Sequence, residues 1–147
     1  GHVSLFTARV GTMIGFRTVV LDDRAEYANR ERFPEVDEVV VLPDFKDCCA
    51  GLDVGRDAFI VIVTRGHLHD RAVLAEALRT PAGYVGMIGS RSKRDKIYDS
   101  LLADGYTQAD VDRCHCPIGL TIGAQTPEEI SVSIAAELIG VRAGNGK

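Results

Sequence analysis

The stretch Tyr84-Val85-Gly86-Met87-Ile88-Gly89-Ser90-Arg91-Ser92-Lys93-Arg94 decides the fold. Its first five residues read as a buried strand and Gly89 as the turn. Ser90 reads as the cap of a helix running from about Arg91 to Ala103, with Gly105 as its stop. Arg91, Lys93 and Arg94 fill the first turn of that helix. A helix N-terminus already carries partial positive charge and prefers acidic neighbours. Cations stacked there make local sense if an anion such as a phosphate binds the free backbone N–H groups. A solvated basic helix face is the plainer alternative.

Working outward, the same strand-then-helix pattern recurs. Ala58-Phe59-Ile60-Val61-Ile62-Val63-Thr64 is the most hydrophobic run, and its lack of polar alternation predicts a central parallel strand covered on both faces. After the loop Arg65-Gly66-His67-Leu68-His69, Asp70 reads as the cap of a helix from Arg71 to Arg79 with the stripe Val73, Leu74, Ala77 and Leu78. Arg17 to Leu21 and Glu38 to Leu42 are β-branched and short, hence strands. The first ends at Asp22-Asp23-Arg24. Ala25 to Arg32 reads as a short polar helix or turn closed by Phe33-Pro34, and Pro43 to Cys49 as one or two helical turns. Val3 to Ile14 has near-helical spacing at Val3, Phe6, Val10, Met13 and Ile14, with Gly15 as a stop.

Toward the other end, Thr107 with Asp110 three residues on starts a short helix, and Cys114 to Gln125 reads as an ordered loop with a short strand. Thr126, Pro127 and Glu129 form a strong start signal for a last helix with the stripe Ile130, Ile134, Leu138 and Val141. Gly144 to Lys147 reads as a flexible tail.

Strands alternating with helices predict an α/β domain, a three-layer parallel sheet with helices on both faces. Ligands in such sheets bind beyond the carboxyl ends of the strands. Those ends are Gly1-His2, Asp22 to Arg24, Thr64 to Asp70 and Gly89 to Arg91. Gly1 reads as the second glycine of a Gly-x-Gly turn, and Asp22 stands about 20 residues on, where a ribose-binding acid belongs. The expectation is therefore a first strand upstream of Gly1, or another segment in its slot.

Composition narrows the class. The 147 residues fit a single domain, and 46% hydrophobic with 26% charged residues predicts a soluble globular protein. A net charge of −4 argues against a general nucleic-acid binder. No apolar run approaches the roughly 20 residues of a membrane span, and no secretory signal is seen. Cysteine usage fits a reducing cytoplasm. The pairs Cys48-Cys49 and Cys114-His115-Cys116 could supply zinc ligands, but their spacing is not that of the usual two-residue-gap pairs.

Each site reading has an alternative. Gly1 and His2 offer backbone N–H groups to a diphosphate, or form a simple turn. Asp22 accepts from a ribose hydroxyl pair, or caps the next turn. Arg24 stacks on a base or binds phosphate, or makes a surface ion pair. Thr64-Arg65-Gly66-His67, with His69 and Asp70, offers a guanidinium, imidazoles and a carboxylate for ligand contact, or merely orders a loop. Neither a nucleophile elbow nor a lysine phosphate loop occurs, so no catalytic mechanism follows.

The combination of Gly1-His2-Val3, Val20-Leu21-Asp22-Asp23-Arg24, Glu31-Arg32-Phe33-Pro34, Thr64-Arg65-Gly66-His67 with Asp70, the opening stretch, Pro117-Ile118-Gly119-Leu120 and Thr126-Pro127-Glu128-Glu129-Ile130 closely resembles the C-terminal Rossmann-like domain of the XdhC/CoxI family, the xanthine dehydrogenase accessory factors. Thr121 stands where that pattern commonly has Asp, and Cys114 and Cys116 lie outside it. The resemblance implies a maturation factor more than a turnover enzyme. Such a factor binds molybdenum cofactor, supports its sulfuration and delivers it to an apo-molybdenum hydroxylase. A cysteine desulfurase is a second candidate partner; a homodimer is left open, since no interface can be located from sequence. The candidate cofactor-binding residues, read from the strand ends, are Gly1, His2, Asp22, Arg24, Thr64, Arg65, Gly66, His67, Gly89, Ser90 and Arg91; the resemblance supplies the anion they would hold. An NAD(P)-dependent oxidoreductase or nucleotide-sensing module is the alternative. On this reading Arg91 belongs to the phosphate site, while Lys93 and Arg94 do not.

Overall fold

Short β-branched runs alternate with capped helices, and the chain folds accordingly. A computed structural model describes residues 1–144. In chain order the elements are α1 (His2–Met13), β1 (Val19–Asp22), β2 (Glu38–Val41), β3 (Phe59–Ile62), α2 (His67–Ala77), β4 (Tyr84–Met87), α3 (Arg91–Ala103), α4 (Gln108–Asp112), β5 (Cys114–His115) and α5 (Pro127–Arg142). Every strand pairing is parallel, in the sheets β1-β2 and β3-β4-β5. The chain divides into two units, Gly1–Phe45 with the chain from Gly119 onward, and Lys46–Ile118. The expected tail from Gly144 falls, from residue 145 on, outside the described residues. Among the described residues no helix is long and apolar enough to cross a membrane.

In the unit Lys46–Ile118, β4 is the middle strand and all four of its residues are buried. Side chains alternate across a strand. On one face Val85 and Met87 join Ile62, Leu74, Leu78, Ile97 and Leu101 in a core shared with α2 and α3. On the other, the Tyr84 ring stacks on Phe59 at 5.6 Å and on His115 at 4.6 Å between centroids. Gly86 makes room for that stack, because a Cβ there would collide with the Tyr84 ring and with Ile118. The fully covered strand is thus β4. The Ala58–Thr64 reading is corrected: the ladder spans Phe59–Ile62 and Ile62 alone of these four is buried. β3 pairs with one neighbour, whereas β4 lies between two. Arg113 closes the C-terminal end of α2, donating to the carbonyls of Leu78, Thr80 and Ala82 at 2.8–3.1 Å. The helical turns expected over Pro43 to Cys49 are turns and bends without a helix.

In the other unit, β1 and β2 pair from Val19↔Glu38 to Asp22↔Val41. Ala8, Phe33 and Val36 form a core with Leu5, Val20 and Val39 packed against it. The buried positions of α1 are Ala8 and Gly11, and Met13, one of the apolar positions at helical spacing, is exposed. Small residues on this face let α1 lie against α5, where Thr7 Oγ1 meets Ser131 Oγ at 3.1 Å and Ser131 Oγ also donates toward the Val3 and Pro127 carbonyls. In α5, Ser131, Ser133, Ile134, Ala135 and Leu138 are buried, so the buried face is richer in small residues than the apolar stripe suggested.

The cap signals form as expected. Ser90 Oγ accepts from Lys93 N–H at 3.1 Å, and capping boxes close Thr107 with Asp110 and Thr126 with Glu129. The N–H groups of Gln125 and then Thr126 hold the Glu129 carboxyl below its ordinary 4.5, and the Thr107 N–H and then its hydroxyl do the same for Asp110. A depressed carboxyl pKa contributes stability that is complete above the unfolded value and lost as pH falls through the folded one. Thermal stability is therefore expected to fall below about pH 4.5, and Glu129→Gln to flatten part of that fall. A pH series of thermal melts checks this; parallel curves for wild type and variant would remove the cap from the account.

Candidate functional site

The candidate residues divide between the two units, and each group is described in its own frame. In Lys46–Ile118, β3 and β4 both end at glycine-containing turns that feed helices. α2 begins one residue after Gly66, which makes no side-chain cap. Asp70, expected to cap this helix, instead lies inside its first turn with no exposed surface. Sequence alone placed the helix start four residues late. Asp70 is a buried hub: Oδ1 accepts from the Thr64 N–H at 3.0 Å and from Thr64 Oγ1, and Oδ2 is ion-paired with Lys93 Nζ. Lys93 Nζ also donates to the Ile88 carbonyl at 3.1 Å. One charge pair thus ties the end of β3, the first turn of α2, the end of β4 and the first turn of α3.

Gly89 permits this arrangement. Its φ of +140° lies where side-chain-bearing residues rarely go, and a Cβ would sit 2.7 Å from Lys93 Cδ. The three cations of the opening stretch therefore have different roles. Lys93 serves Asp70. Arg94 bonds Asp95 at 3.0 Å and the Cys116 carbonyl at 3.2 Å. Arg91 is exposed and pairs with no carboxylate among the described residues. Lys93, set aside by sequence reasoning as outside the site, is the internal partner of Asp70 and the Ile88 carbonyl. The signal was present as a cation at the wrong end of a helix, but its partner is 23 residues away.

Thr64 Oγ1 also reaches the Gly66 carbonyl at 3.3 Å, and Arg65 and His67 are exposed. Among the described residues no group of three or more His, Cys, Asp or Glu is arranged to hold a metal ion. The zinc combination of Cys114, His115, Cys116 and Cys48 or Cys49 does not form: Cys48 and Cys49 face each other, Sγ to Sγ, at 4.0 Å, and the His115 ring is stacked on Tyr84. Cys114 and Cys116 line a cleft of about 350 Å³ with Arg94, Tyr98 and Asp112, and Cys116 Sγ lies 3.8 Å from the Gly89 carbonyl. Burial pushes the Cys114 thiol up to about 11 and raises that of Cys116. Both are neutral thiols near pH 7, so neither is a ready thiolate.

In the other unit, β1 ends at Asp22, whose carboxylate accepts from Arg24 N–H at 3.0 Å, Nε at 3.2 Å and Nη2 at 3.3 Å. The turn-capping alternative for Asp22 is thus realised, and its carboxylate is engaged by a guanidinium. The Arg24 guanidinium lies 3.9 Å from the Tyr27 ring centroid, stacked on the protein's own aromatic face. Gly1 caps α1, and exposed His2 packs edge-on against Phe6.

Parallel strands followed by flanking helices, two of them through glycine-containing turns, define an α/β domain that is Rossmann-like. The chain belongs to the XdhC Rossmann domain family, matching it over residues 1–138. It is 32% identical over 142 residues to the uncharacterised protein YqeB of Escherichia coli K12, covering 97% of this chain and 26% of that one. It is 27% identical over 135 residues to a Bacillus subtilis 168 protein named as a probable xanthine dehydrogenase component, covering 92% and 38% respectively. The crystal structure of a xanthine dehydrogenase from Bacillus halodurans superposes with a TM-score of 0.83 at 30% identity, over 98% of this chain and 40% of that one. The chain thus spans between a quarter and two fifths of these relatives.

Proposed function

We propose that this domain is an accessory module that binds molybdenum cofactor through its phosphate-bearing end. On this reading it supports the cofactor's sulfuration and hands it to an apo-enzyme of the xanthine dehydrogenase type. The observation that carries the reading is Arg91. Of the three cations in the first turn of α3, two are consumed by internal partners, and the third stands exposed beyond the Gly89 turn. With Ser90 holding the Lys93 N–H, this end offers the remaining N–H groups and one guanidinium to an anion. Gly66, with no side-chain cap and nothing within 4 Å of an added Cβ, leaves the start of α2 similarly open. A phosphate fits both ends chemically. When bound, the cofactor supplies redox chemistry to the enzyme that receives it. The residues of this chain bind and orient it: Arg91 and the α3 N–H groups hold phosphate, Thr64 and Gly66 shape the neighbouring turn, and Arg65 and His67 supply exposed donors. In the other unit, Gly1 and His2 at the start of α1 and Asp22 and Arg24 at the end of β1 are a separate group of proposed ligand contacts.

The names of the relatives support the partner. The Bacillus subtilis relative is named as a probable component of xanthine dehydrogenase. Delivery implies contact with the apo-hydroxylase and with a cysteine desulfurase as sulfur source. A pull-down of an apo-xanthine dehydrogenase by the full-length protein is expected to recover a complex that the cofactor-loaded enzyme does not form. Recovery of neither form would count against delivery. NAD binding with hydride transfer to a substrate would replace the reading with an oxidoreductase.

A further inference from the structure

Two thiols that take no part in the strand-end sites are in contact with each other. Cys48 and Cys49 lie in the turn-rich segment between β2 and β3, inside the unit Lys46–Ile118. Their Sγ atoms are 4.0 Å apart, within reach of a sulfur hydrogen bond, and neither belongs to a disulfide. In a strand or a helix successive side chains point apart, so a local turn of the backbone builds this meeting. Asp47 has φ +53°, and among the described residues it is the one side-chain-bearing residue with a positive φ. The Ala50 N–H then donates to the Asp47 carbonyl at 2.9 Å, and the Leu52 N–H to the Cys49 carbonyl at 3.1 Å. These turns fix the backbone on both sides of the pair. Cys48 is 7% exposed and Cys49 half-buried, so one sulfur is sheltered while its neighbour keeps access to solvent.

The two sulfurs share a proton. The bond to Cys49, with burial second, raises the Cys48 thiol above its ordinary range, and the same bond lowers that of Cys49. Cys48 is therefore the donor and Cys49 the acceptor. The Glu76 carboxylate, near the C-terminal end of α2, is close enough to act on both sulfurs. Its negative charge favours a cation beside the pair over an anion.

The separation discriminates among the uses of a thiol pair. A disulfide needs about 2.05 Å between sulfurs, about half of what is found. Two thiolates at about 2.3 Å from one metal ion stand at most about 4.6 Å apart, and closer when the angle at the metal is bent. The observed 4.0 Å falls in that range. Structural zinc takes four ligands, and among the described residues no group of three or more His, Cys, Asp or Glu is arranged to hold a metal ion. A soft ion satisfied by two thiolates, such as Cu(I), meets no such shortage.

We propose that Cys48 and Cys49 form a two-thiolate site for a soft, thiophilic metal ion of the Cu(I) type. As the sulfur–metal bonds form, each thiol gives its proton to solvent and no electron is transferred. The site lies toward the opposite end of α2 from Asp70 and is independent of the cofactor-binding reading.

The test is anaerobic titration of the reduced full-length protein with Cu(I), supplied through a competing chelator of known affinity. Wild type is compared with Cys49→Ser, Cys48→Ala and the double variant Cys114→Ser with Cys116→Ser. The tightest Cu(I) site of wild type is expected to weaken by at least about a hundredfold in Cys49→Ser, since even an outer-shell partner of a metal ligand is worth up to that much. The double variant should bind as wild type does. Cys49 is half-buried, so metal-free Cys49→Ser should melt like wild type; should Cys48→Ala prove unstable, Cys49→Ser alone decides. X-ray absorption at the copper edge should show two sulfur neighbours. Wild-type Cu(I) affinity in Cys49→Ser, or loss of the tight site in the double variant instead, would overturn the assignment. Displacement of Cu(I) by equimolar Zn(II), or three or more ligands at the copper, would overturn the two-thiolate geometry.

Discussion

Replacing Lys93 by alanine is expected to lower the unfolding free energy by about 3–5 kcal/mol, the loss typical when one side of a buried ion pair is removed. The size follows from where the charge is left. Asp70 has no exposed surface, whereas the Lys93 side chain is 23% exposed. Removing the lysine strands a carboxylate in the interior with Thr64 as its remaining donor, and also unpairs the Ile88 carbonyl. Removing the other partner is milder, because in Asp70→Asn the freed ammonium can turn toward water. Lys93→Met combined with Asp70→Leu should recover much of the loss, since an apolar pair of similar volume escapes the desolvation penalty. Urea titrations of the single and double variants measure this. A Lys93→Ala loss below about 1 kcal/mol would mean that the pair behaves like a surface bridge.

Gly119→Ala is expected to destabilise by about 2–5 kcal/mol, with ~1–2 from the left-handed backbone and ~1–3 from overpacking. Gly119 has φ +94°, and an added Cβ would lie 2.5 Å from Ser133 Oγ and 3.2 Å from the Ile134 N. Neither neighbour can retreat easily. Ser133 is buried in α5, its Oγ donates to the Ile130 carbonyl at 2.7 Å, and its own carbonyl accepts the Leu120 N–H at 3.2 Å. Gly123→Ala is the control: φ is +77° there, but the space around the added carbon is open. The difference between the two urea midpoints isolates the packing part. Equal losses would show that the loop moves aside.

These residues also show what the sequence could disclose. The caps at Ser90, Thr107 and Thr126 were legible because a cap is an exchange between a side chain and backbone three or four residues away. The alternation of strands and helices was legible for the same local reason. Asp70 was misread because an aspartate before an apolar stripe looks the same as a cap or as a buried anion; its partner Lys93 is fixed only by the folded chain. The burial ranking of β3 and β4 failed likewise. Hydrophobicity marked Ala58 to Thr64, but burial follows sheet order, and the middle strand holds a glycine and a tyrosine.

Titration of molybdopterin into wild-type and Arg91→Ala protein tests whether the Gly89-Ser90-Arg91 turn holds a phosphate of the cofactor. The exposed Arg91 has no structural partner among the described residues, so both proteins should melt alike. Wild type is expected to bind, and Arg91→Ala to bind about tenfold or more weakly, the scale of one charged hydrogen-bonding group. Equal affinity in the two proteins, or no molybdopterin binding by wild type, would contradict the claim.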